Sequence, residues 1–236
     1  MSKRAVVLAG GKGTRLKPYT ITLPKPLVPV GDDMPVLEII IRQLRSHGFD
    51  HITLAVNHMS EIIKAFFGDG SKWDIKIDYS EESKPLGTMG PLKNITDLPE
   101  NFLVMNGDII TDLNYGSFHA AHSKGKSTFT ISSFERNEQV DYGVITSEKG
   151  LLKELSEKPL IKYEVSMGVY MLSKKVLDFI PKNKEFGFDQ LMYKLLKNDK
   201  KVSVKKHKKY WLDIGRPSDY QIAINDYESK IKKDLL

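Results

Sequence analysis

The chain has 236 residues, 40% of them hydrophobic, which is enough for one large α/β domain or for two small domains. The absence of cysteine excludes a disulfide framework and a cysteine-ligated zinc site. A formal net charge of +6 is typical of chains that bind nucleic acid, acidic membranes or phosphorylated small molecules.

Hydropathy and sequence motifs argue against two of these three classes of partner, membranes and nucleic acid. No stretch approaches the roughly 20 apolar residues that span a bilayer, and the apolar run near the N-terminus is too short for the core of a signal peptide. We therefore expect a cytoplasmic protein with no membrane partner. The basic segment 197–209 has no recognised nucleic-acid motif beside it, so it indicates a solvated face around a short strand and no nucleic-acid partner.

In the first half of the chain, buried-strand patterns alternate with amphipathic helical patterns. Hydrophobic residues between Pro35 and His47 share one helical face, and Ser60 is placed to cap a second helix that ends near Gly68. Such alternation is typical of right-handed parallel βαβ units. The sequence therefore predicts an α/β fold with a doubly wound, mostly parallel, Rossmann-like sheet. Its strands are predicted at residues 6–9, 52–56, 75–79 and 102–105.

The second half, from about residue 113, has strands with short connections, which indicate a mixed or antiparallel extension of the parallel sheet. No repeat, low-complexity tract or linker divides the chain. We therefore expect one domain over residues 1–236, whose first half ends at about residue 112. Further strands are predicted at residues 128–134, 142–146, 151–155 and 165–172, and helices near 174–179, at 190–196 and from Pro217 onward.

A glycine-rich segment follows the first strand and carries the strongest local signal. Gly10, Gly11 and Gly13 let the backbone approach a polyanion and direct N–H groups at phosphate oxygens. Arg15 adds a planar fork of donors that matches phosphate geometry. The spacing is neither the Walker pattern nor the dinucleotide fingerprint. Ten residues later, prolines on both sides of Lys25 stiffen the backbone around a cation, which suits neutralisation of charge that builds on a phosphate.

These two segments resemble the signature of the sugar-phosphate nucleotidyltransferases, with Gly-Gly-Lys-Gly-Thr-Arg at 10–15 and Leu-Pro-Lys-Pro-Leu-Val at 23–28. Four later segments match that family in order, so the resemblance spans nearly the whole chain. They are Pro-Leu-Gly-Thr-Met-Gly at 85–90, Met-Asn-Gly-Asp at 105–108, Glu-Lys-Pro at 157–159 and Trp-Leu-Asp-Ile-Gly at 211–215. The resemblance implies a magnesium-dependent enzyme that joins a nucleoside triphosphate to a sugar 1-phosphate and releases pyrophosphate.

The resemblance also implies roles for single residues. The nucleotide would be bound by Leu8, Ala9, Gly10, Gly11, Gly13, Thr14 and Arg15 of the glycine loop, by Lys25, and by Gly87 and Thr88 of a base-recognition loop. The sugar phosphate would be held by Tyr142, Gly143, Glu157, Lys158 and Ser166, which makes the second half a sugar-binding extension. The catalytic set would be Arg15, Lys25, Asp108 and Asp213, of which the two aspartates would share Mg²⁺. Two carboxylates suit this hard, oxygen-preferring ion.

The chain departs from the family at Ser166, where the family usually has asparagine. Serine keeps a hydroxyl but reaches less far than an amide, so the sugar of any particular relative does not carry over. The loop at 85–91 is most similar to guanylyltransferases, especially those for mannose 1-phosphate, so GTP is the expected triphosphate. The alternative is a thymidylyl- or uridylyltransferase that acts on glucose 1-phosphate or on an amino-sugar 1-phosphate.

The implied reaction is a single in-line displacement that yields activated sugars for surface glycans. Two other classes of protein remain open. A glycosyltransferase of similar topology usually has an Asp-x-Asp motif, and Asp108 and Asp112 have the wrong spacing for one. A non-catalytic nucleotide sensor would have lost its metal ligands, whereas both candidate aspartates are present. The expected partners are the nucleoside triphosphate and the sugar 1-phosphate, and a homodimer is compatible with the sequence.

Overall fold

A central sheet of seven strands organises the chain, in a computed structural model that describes residues 2–31 and 34–235. The strands of this and three small sheets are β1 (Arg4–Leu8), β2 (Pro29–Val30), β3 (Met34–Pro35), β4 (His51–Val56), β5 (Lys76–Glu81), β6 (Asn101–Asn106), β7 (Ile109–Thr111), β8 (Phe129–Gln139), β9 (Val144–Glu148), β10 (Leu151–Ser156), β11 (Leu160–Ser173), β12 (Val202–His207) and β13 (Trp211–Asp213).

The helices are α1 (Val36–Ser46), α2 (Ser60–Phe67), α3 (Tyr115–Lys124), α4 (Phe188–Lys197), α5 (Pro217–Asp226) and α6 (Lys232–Leu235). Short 3₁₀-helices occupy Thr14–Leu16, Lys25–Leu27, Ser71–Trp73, Gly90–Asn94 and Lys174–Phe179, and a π-helical turn occupies Tyr227–Ile231. Every helix in the described part of the chain is too short or too polar to cross a bilayer.

The strand order in the central sheet is β12-β8-β11-β6-β1-β4-β5, and the described neighbours pair in parallel except where β11 is involved. Strand β1 lies between β6 and β4. After β1 the chain first adds strands on the β4 side of the sheet and later adds strands on the β6 side. Such a switch point is where α/β proteins bind ligands, beyond the carboxyl ends of the strands. The predicted α/β fold with a doubly wound, mostly parallel sheet is confirmed.

Both faces of the central strands are buried in hydrophobic clusters. In β1, Ala5 and Val7 pack into the cluster on one face, and Val6 packs into the cluster on the other. In β6, Met105 packs into the first of these clusters, and Val104 packs into the second. A strand that is covered on both faces needs such a continuous apolar run, because every side chain leaves water. Burying each large apolar side chain contributes about 1.5–3 kcal/mol.

The predicted cap of α2 is wrong. Met59 occupies the N-cap position, with a φ of 54°, and Ser60 is the first helical residue. The Ser60 hydroxyl donates a hydrogen bond to Glu81 Oε1 at the end of β5 (2.6 Å) and so links the helix to the sheet. A serine next to a helix start can therefore serve a tertiary contact in place of the cap that its local sequence favours.

Helix α3 has no counterpart among the predicted elements. Its buried face consists of Tyr115, Phe118 and His122, and two aromatic residues with a histidine give a weak apolar periodicity. Asn114 caps the helix by accepting the Ser117 N–H at its Oδ1 (2.7 Å). That asparagine, a preferred capping residue, was the available signal for the helix.

Strands β9 and β10 pair with each other as a separate antiparallel hairpin, and every residue of both strands is exposed. The long antiparallel strands β8 and β11 run from the central sheet to this hairpin. The mixed or antiparallel extension predicted for the second half therefore consists of these four strands.

Helix α3 also contains a histidine whose burial makes stability depend on pH. His122 is 4% exposed, its Nδ1 lies 2.7 Å from Thr130 Oγ1, and its Nε2 is buried with no hydrogen-bond partner among the described residues. Burial lowers the pKa of His122 from 6.5 to about 4. The unfolded chain therefore binds this proton at a higher pH than the folded chain does.

The free energy of unfolding should accordingly fall as the pH drops below about 6.5, with a loss from His122 of about 2 kcal/mol at pH 5. Urea unfolding at about pH 7.5 and about pH 5 measures the loss. The variant His122→Asn should lose less stability between these two pH values than the wild type or a His58→Asn control. Equal losses in all three proteins would show that His122 does not cause the dependence.

Candidate active site

The loop after β1 lies at the switch point and is tied to the strands on both sides. The Ala9 N–H donates to the carbonyl oxygen of Ala55 in β4 (2.8 Å), and the Gly107 N–H donates to the carbonyl oxygen of Leu8 (2.9 Å). A Cβ on Gly107 would lie 2.9 Å from that same Leu8 oxygen. Glycine at this position therefore allows the turn that carries Asp108 to approach the glycine loop.

Gly13 turns the glycine loop back toward Lys25. Its φ is 61°, in the left-handed region that favours glycine, and a Cβ there would meet Thr20 Cγ2 at 2.9 Å and Lys25 Cβ at 3.0 Å. The Thr20 hydroxyl donates to the carbonyl oxygen of Gly13 (2.8 Å) and holds the turn. Thr14 and Arg15 follow as exposed residues of a short 3₁₀-helix, so their side chains are available to a ligand.

A cavity of about 460 Å³ opens beyond the carboxyl ends of the parallel strands. It is lined by Leu8, Gly10, Gly11, Lys12, Ala55, Asn57, Glu82, Pro85, Leu86, Gly87, Thr88, Pro91, Asn106 and Asp108. The cavity thus joins five of the ten predicted nucleotide-binding residues to one predicted metal ligand, and its volume is typical of a small-ligand pocket. Outside its lining lie Ala9, Gly13, Thr14, Arg15 and Lys25.

The loop at 85–90, to which the resemblance assigns base recognition, is held by the segment that precedes α4. The carbonyl oxygen of Leu86 accepts the Phe186 N–H (2.8 Å). Gly87 has a φ of 75°, and a Cβ there would lie 2.9 Å from the carbonyl oxygen of Phe186. Thr88 Oγ1 accepts the Phe188 N–H (2.9 Å). Gly87 and Thr88 therefore fix the shape of the loop that forms one wall of the cavity.

Two polar residues that line this cavity, Asn57 and Glu82, were not predicted from the sequence. Glu82 Oε2 accepts the Leu86 N–H (2.8 Å), and the Glu82 carbonyl oxygen accepts from the Asn57 amide (3.2 Å). Burial raises the pKa of Glu82 above its ordinary value. Each residue directly follows the carboxyl end of a parallel strand, β4 or β5, and that position was the signal that could have identified them.

The two predicted metal ligands come together through a short pair of strands. Pairing of β13 with β7 sets Asp213 opposite Ile109, and the Ile214 N–H donates to the carbonyl oxygen of Asp108 (3.0 Å). Burial raises the pKa of Asp213, and the negative charge of Asp108 raises it further. The two carboxylates therefore lie within electrostatic reach of each other.

Lys25 contacts Asp108, and its positive charge also acts on Asp213. Its Nζ donates to Asp108 Oδ2, and its side chain is only 13% exposed. The other carboxylate oxygen, Asp108 Oδ1, is buried and has no hydrogen-bond partner in the part of the chain that the structure describes. Three of the four predicted catalytic residues, Lys25, Asp108 and Asp213, thus form one cluster.

The cluster fits a magnesium ion. Among the described residues, no group of three or more His, Asp or Glu side chains is arranged to hold a metal. Mg²⁺ does not require one, because it usually binds through one or two carboxylates together with substrate phosphates and water. A divalent cation would satisfy the buried Asp108 Oδ1 and offset the repulsion between Asp108 and Asp213.

A second cavity, of about 190 Å³, is bounded by Asp213. Its lining consists of Arg15, Arg136, Trp211, Leu212, Asp213, Gly215, Arg216 and Asp219. Arg15 of the glycine loop thus meets residues from the second half of the chain. The Trp211 indole donates to the carbonyl oxygen of Met167 (3.0 Å), and the Arg136 guanidinium lies over that indole, 5.6 Å from the ring centre. Sequence analysis did not identify Arg136 or Arg216.

Four predicted sugar-binding residues lie together at the base of the β9–β10 hairpin. A Cβ on Gly143 would lie 2.9 Å from Glu157 Oε2, and the Gln139 side chain donates to the carbonyl oxygen of Lys158. Together with Tyr142, these residues are exposed, and within the described chain none of the four lines either cavity. The structure therefore clusters them without joining them to the carboxylates.

Ser166 lies closer to the larger cavity. Its hydroxyl donates to Tyr170 Oη (3.0 Å) and accepts the Gly168 N–H (3.3 Å). Gly168 has a φ of 75°, and a Cβ there would lie 2.7 Å from the amide nitrogen of Asn106, which lines that cavity. The irregularity in β11 between Ser166 and Tyr170 thus packs directly against the end of β6.

A doubly wound sheet with a glycine loop, a cavity at the strand ends and paired aspartates defines a nucleotide-binding α/β protein. Comparison with known proteins identifies its family. The family model described as nucleotidyl transferase matches residues 4–230. The chain belongs to the nucleotidyl transferase family.

Relatives within this family differ in the nucleotide that their names specify. The chain is 33% identical to a UTP–glucose-1-phosphate uridylyltransferase of Synechocystis sp. and 32% identical to a mannose-1-phosphate guanyltransferase of Schizosaccharomyces pombe, in each case over 98% of its length. It spans 65% and 66% of the length of these two relatives. Among solved structures, HddC from Yersinia pseudotuberculosis in complex with GMP-PN is 30% identical, with a TM-score of 0.75 over 96% of this chain and 100% of that one.

The paired aspartates lead to a prediction about metal binding. Asp108→Asn and Asp213→Asn should each weaken the binding of Mn²⁺, used as a spectroscopic substitute for Mg²⁺, by at least about tenfold, because each removes one charged ligand without changing the side-chain volume. Titration followed by electron paramagnetic resonance measures the affinity. Asp178→Asn, at an exposed aspartate outside both cavities, should bind Mn²⁺ as the wild type does. Wild-type affinity in either active-site variant would exclude that carboxylate as a ligand.

Proposed function

We propose that this chain transfers a nucleotidyl group from a nucleoside triphosphate, with GTP preferred, to a sugar 1-phosphate, giving a nucleotide-diphosphate sugar and pyrophosphate for surface-glycan precursors. One observation carries the proposal. Asp108, which lines the larger cavity, contacts Lys25 and lies within electrostatic reach of Asp213, which lines the arginine-rich cavity. Membership of the nucleotidyl transferase family supports it.

The proposed chemistry is a single in-line displacement at the α-phosphorus. An oxygen of the sugar 1-phosphate forms the new P–O bond, while the bond to the bridging oxygen of the β-phosphate breaks and pyrophosphate leaves with its electron pair. The attacking phosphate is already anionic at neutral pH, so the step needs no strong general base. The protein accelerates it by positioning the two reactants and by neutralising the charge of their phosphates.

The three residues of the cluster and Arg15 each have a part in the proposed reaction. Lys25 neutralises charge at the reacting phosphate, and Arg15 acts on the triphosphate. Asp108 and Asp213 would hold Mg²⁺, which when bound supplies additional positive charge at the phosphate oxygens. Removing one charge at the reaction centre costs about 3–4 kcal/mol of transition-state stabilisation, or about 10²–10³-fold in rate. The N–H groups of the glycine loop surround the nucleotide without adding side-chain bulk.

The sugar side of the proposal rests on the exposed cluster at the base of the hairpin. Lys158 would hold the phosphate of the sugar, while Tyr142, Gly143 and Glu157 would contact its hydroxyl groups. Their exposure leaves these groups open to a ligand of the site. Ser166, packed beside Gly168 at the larger cavity, would complete the set with a hydroxyl.

The preference for GTP is proposed from the carboxylate of Glu82. Its Oε2 accepts the Leu86 N–H, and its Oε1 lies 3.3 Å from the position that a Cβ on Gly10 would take, beside the nucleotide cavity. Guanine offers two neighbouring donors, N1–H and N2–H₂, whereas uracil and thymine offer one. A site built around those donors leaves a polar group unpaired with any other base. The complex of the 30% identical HddC with GMP-PN supports the same choice.

A uridylyltransferase is the second candidate, because the relative with that activity in its name is 33% identical to this chain. The cytoplasmic location also remains a prediction, based on the compartment in which nucleoside triphosphates and sugar phosphates are made.

A panel of nucleoside triphosphates crossed with sugar 1-phosphates tests the proposal. Pyrophosphate should be released only when a triphosphate, a sugar 1-phosphate and a divalent cation are all present, and GTP should give the highest kcat/KM. Phosphate-release coupling with inorganic pyrophosphatase measures the rate. Transfer of sugar to an acceptor alcohol without pyrophosphate release would support a glycosyltransferase, and a tenfold preference for UTP or dTTP would overturn the base assignment alone.

Matched variants at neighbouring glutamates sharpen the same assay. Glu82→Gln should lower kcat/KM for GTP by about 10–100-fold and change that for UTP less, because one guanine N–H loses its acceptor. Glu81→Gln alters an exposed residue bound to Ser60 and Lys64 and should leave the nucleotide preference unchanged. Equal losses for GTP and UTP in Glu82→Gln would show that Glu82 does not read the base.

A further inference from the structure

The arginines of this chain divide into two groups by their partners. The sequence has six arginines. Three of them form ion pairs with carboxylates: Arg4, Arg42 and Arg45. The other three, Arg15, Arg136 and Arg216, form no ion pair within the described residues, and all three line the 190 Å³ cavity. Every arginine whose guanidinium forms no ion pair within the described chain therefore lines one site, which we name the three-arginine pocket.

The chemistry of the lining matches a polyanion. Its side chains include no serine, threonine, asparagine or glutamine that could read the hydroxyl groups of a sugar. Guanidinium groups present fixed pairs of donors that match phosphate oxygens two at a time. Of the two carboxylates in the lining, Asp219 accepts the backbone N–H of Arg216 at Oδ2 (2.8 Å), and Asp213 belongs to the proposed metal site. The free donors of the pocket are therefore those of the arginines.

Two contacts place the guanidinium groups of Arg136 and Arg15 beside residues of the site. Arg136 lies over the Trp211 ring, and stacking of this kind fixes the guanidinium while its N–H groups stay available. At Gly215, a Cβ would lie 3.6 Å from Arg15 Nη2 and 3.6 Å from Asp213 Oδ1. Arg15 and Asp213 thus approach each other across a glycine, and the three-arginine pocket directly adjoins the paired carboxylates.

We propose that the three-arginine pocket binds pyrophosphate, both as the β- and γ-phosphates of the bound triphosphate and as the product that leaves, with Arg136 and Arg216 acting beside Arg15. The inference rests on the proposed nucleotidyl transfer. When the bond from the α-phosphorus to the bridging oxygen breaks, the electron pair and the negative charge move to pyrophosphate. Cations that surround this leaving group stabilise that charge as it grows.

The chemistry of the lining decides against the sugar as the main occupant. A hexose would present mostly hydroxyl groups to a wall whose free polar groups are guanidinium ions. The phosphate of the sugar 1-phosphate, or a second anionic group on the sugar, would also satisfy those ions, and it forms the competing outcome of the experiment. The two possibilities separate cleanly because pyrophosphate and sugar phosphate can be varied independently.

Equilibrium binding of inorganic pyrophosphate to the full chain tests the inference without requiring turnover. Isothermal titration calorimetry in the presence of Mg²⁺ should give a Kd that rises about tenfold in Arg136→Gln and in Arg216→Gln. Arg45→Gln removes the same charge from an exposed ion pair with Asp74 and should leave the Kd unchanged. Wild-type affinity in both pocket variants would overturn the inference.

Kinetics in both directions identify which substrate the pocket serves. In the reverse reaction, the KM for pyrophosphate should rise about tenfold in the two pocket variants, while the forward KM for the sugar 1-phosphate changes less than about twofold. Arg136→Lys, which keeps the charge but loses the paired donors, should fall between wild type and Arg136→Gln. A raised KM for the sugar 1-phosphate with an unchanged KM for pyrophosphate would assign the pocket to the sugar and overturn the inference.

The experiments distinguish a wrong assignment of the three-arginine pocket from a wrong proposed function. If the triphosphate panel gives no pyrophosphate release but pyrophosphate binding still depends on the pocket arginines, the proposed function fails and the pocket remains a pyrophosphate site. If turnover is found while the variants bind pyrophosphate normally, the function stands and the inference fails. Thermal unfolding of each variant confirms that the comparison uses folded protein.

Discussion

Two carboxylates that repel each other are held within electrostatic reach, and the arrangement of the site depends on that approach. Asp108 follows β6 in the first half of the chain, whereas Asp213 ends β13 near its close. The three-residue pairing of β13 with β7 and the hydrogen bond from the Ile214 N–H bring them together. Burial and the charge of Asp108 raise the pKa of Asp213, so the fold carries an electrostatic cost at this point. Lys25 offsets part of it, and a divalent cation would offset the rest.

The remaining parts of the site are arranged around this pair by close backbone approaches. Gly107 lets the Asp108 turn reach the glycine loop, Gly13 lets that loop reach Lys25, and Gly215 lets Arg15 reach Asp213. Each of these close approaches positions a charged residue of the site, namely Asp108, Lys25 or Arg15. In the proposed function, the larger cavity would receive the nucleoside, and the smaller cavity, which is lined by three arginines, would receive the pyrophosphate.

The parallel sheet and the glycine loop could be predicted because each has a strong local pattern, whereas the paired aspartates followed only from the resemblance of the ordered motifs to a family. Continuous apolar runs mark β1 and β6, and ordered motifs marked Lys25, Asp108 and Asp213. The residues that escaped prediction have no local pattern of their own. Glu82 and Asn57 are ordinary polar residues until the ends of β5 and β4 are placed beside β1, and Arg136 matters because Trp211, far away in the chain, packs under it. For Ser60 the error is the opposite one: the local sequence favours an N-cap, but the Ser60 hydroxyl forms a hydrogen bond with Glu81 of another element. The roles of such residues depend on contacts between segments that are distant in the sequence, and these contacts cannot be predicted from one sequence alone.

The central claim is that nucleotide, metal and leaving group meet at Asp108 and Asp213, with the base in the larger cavity and the terminal phosphates among the arginines. A crystal structure of the chain with Mn²⁺ and a non-hydrolysable GTP analogue tests this directly, because anomalous scattering locates the metal independently of the refined coordinates. The account predicts an anomalous peak contacted by Asp108 and Asp213, the base beside Glu82 and Gly87, and the β- and γ-phosphates against Arg15, Arg136 and Arg216. A metal bound away from either aspartate, or terminal phosphates that point away from those arginines, would contradict it.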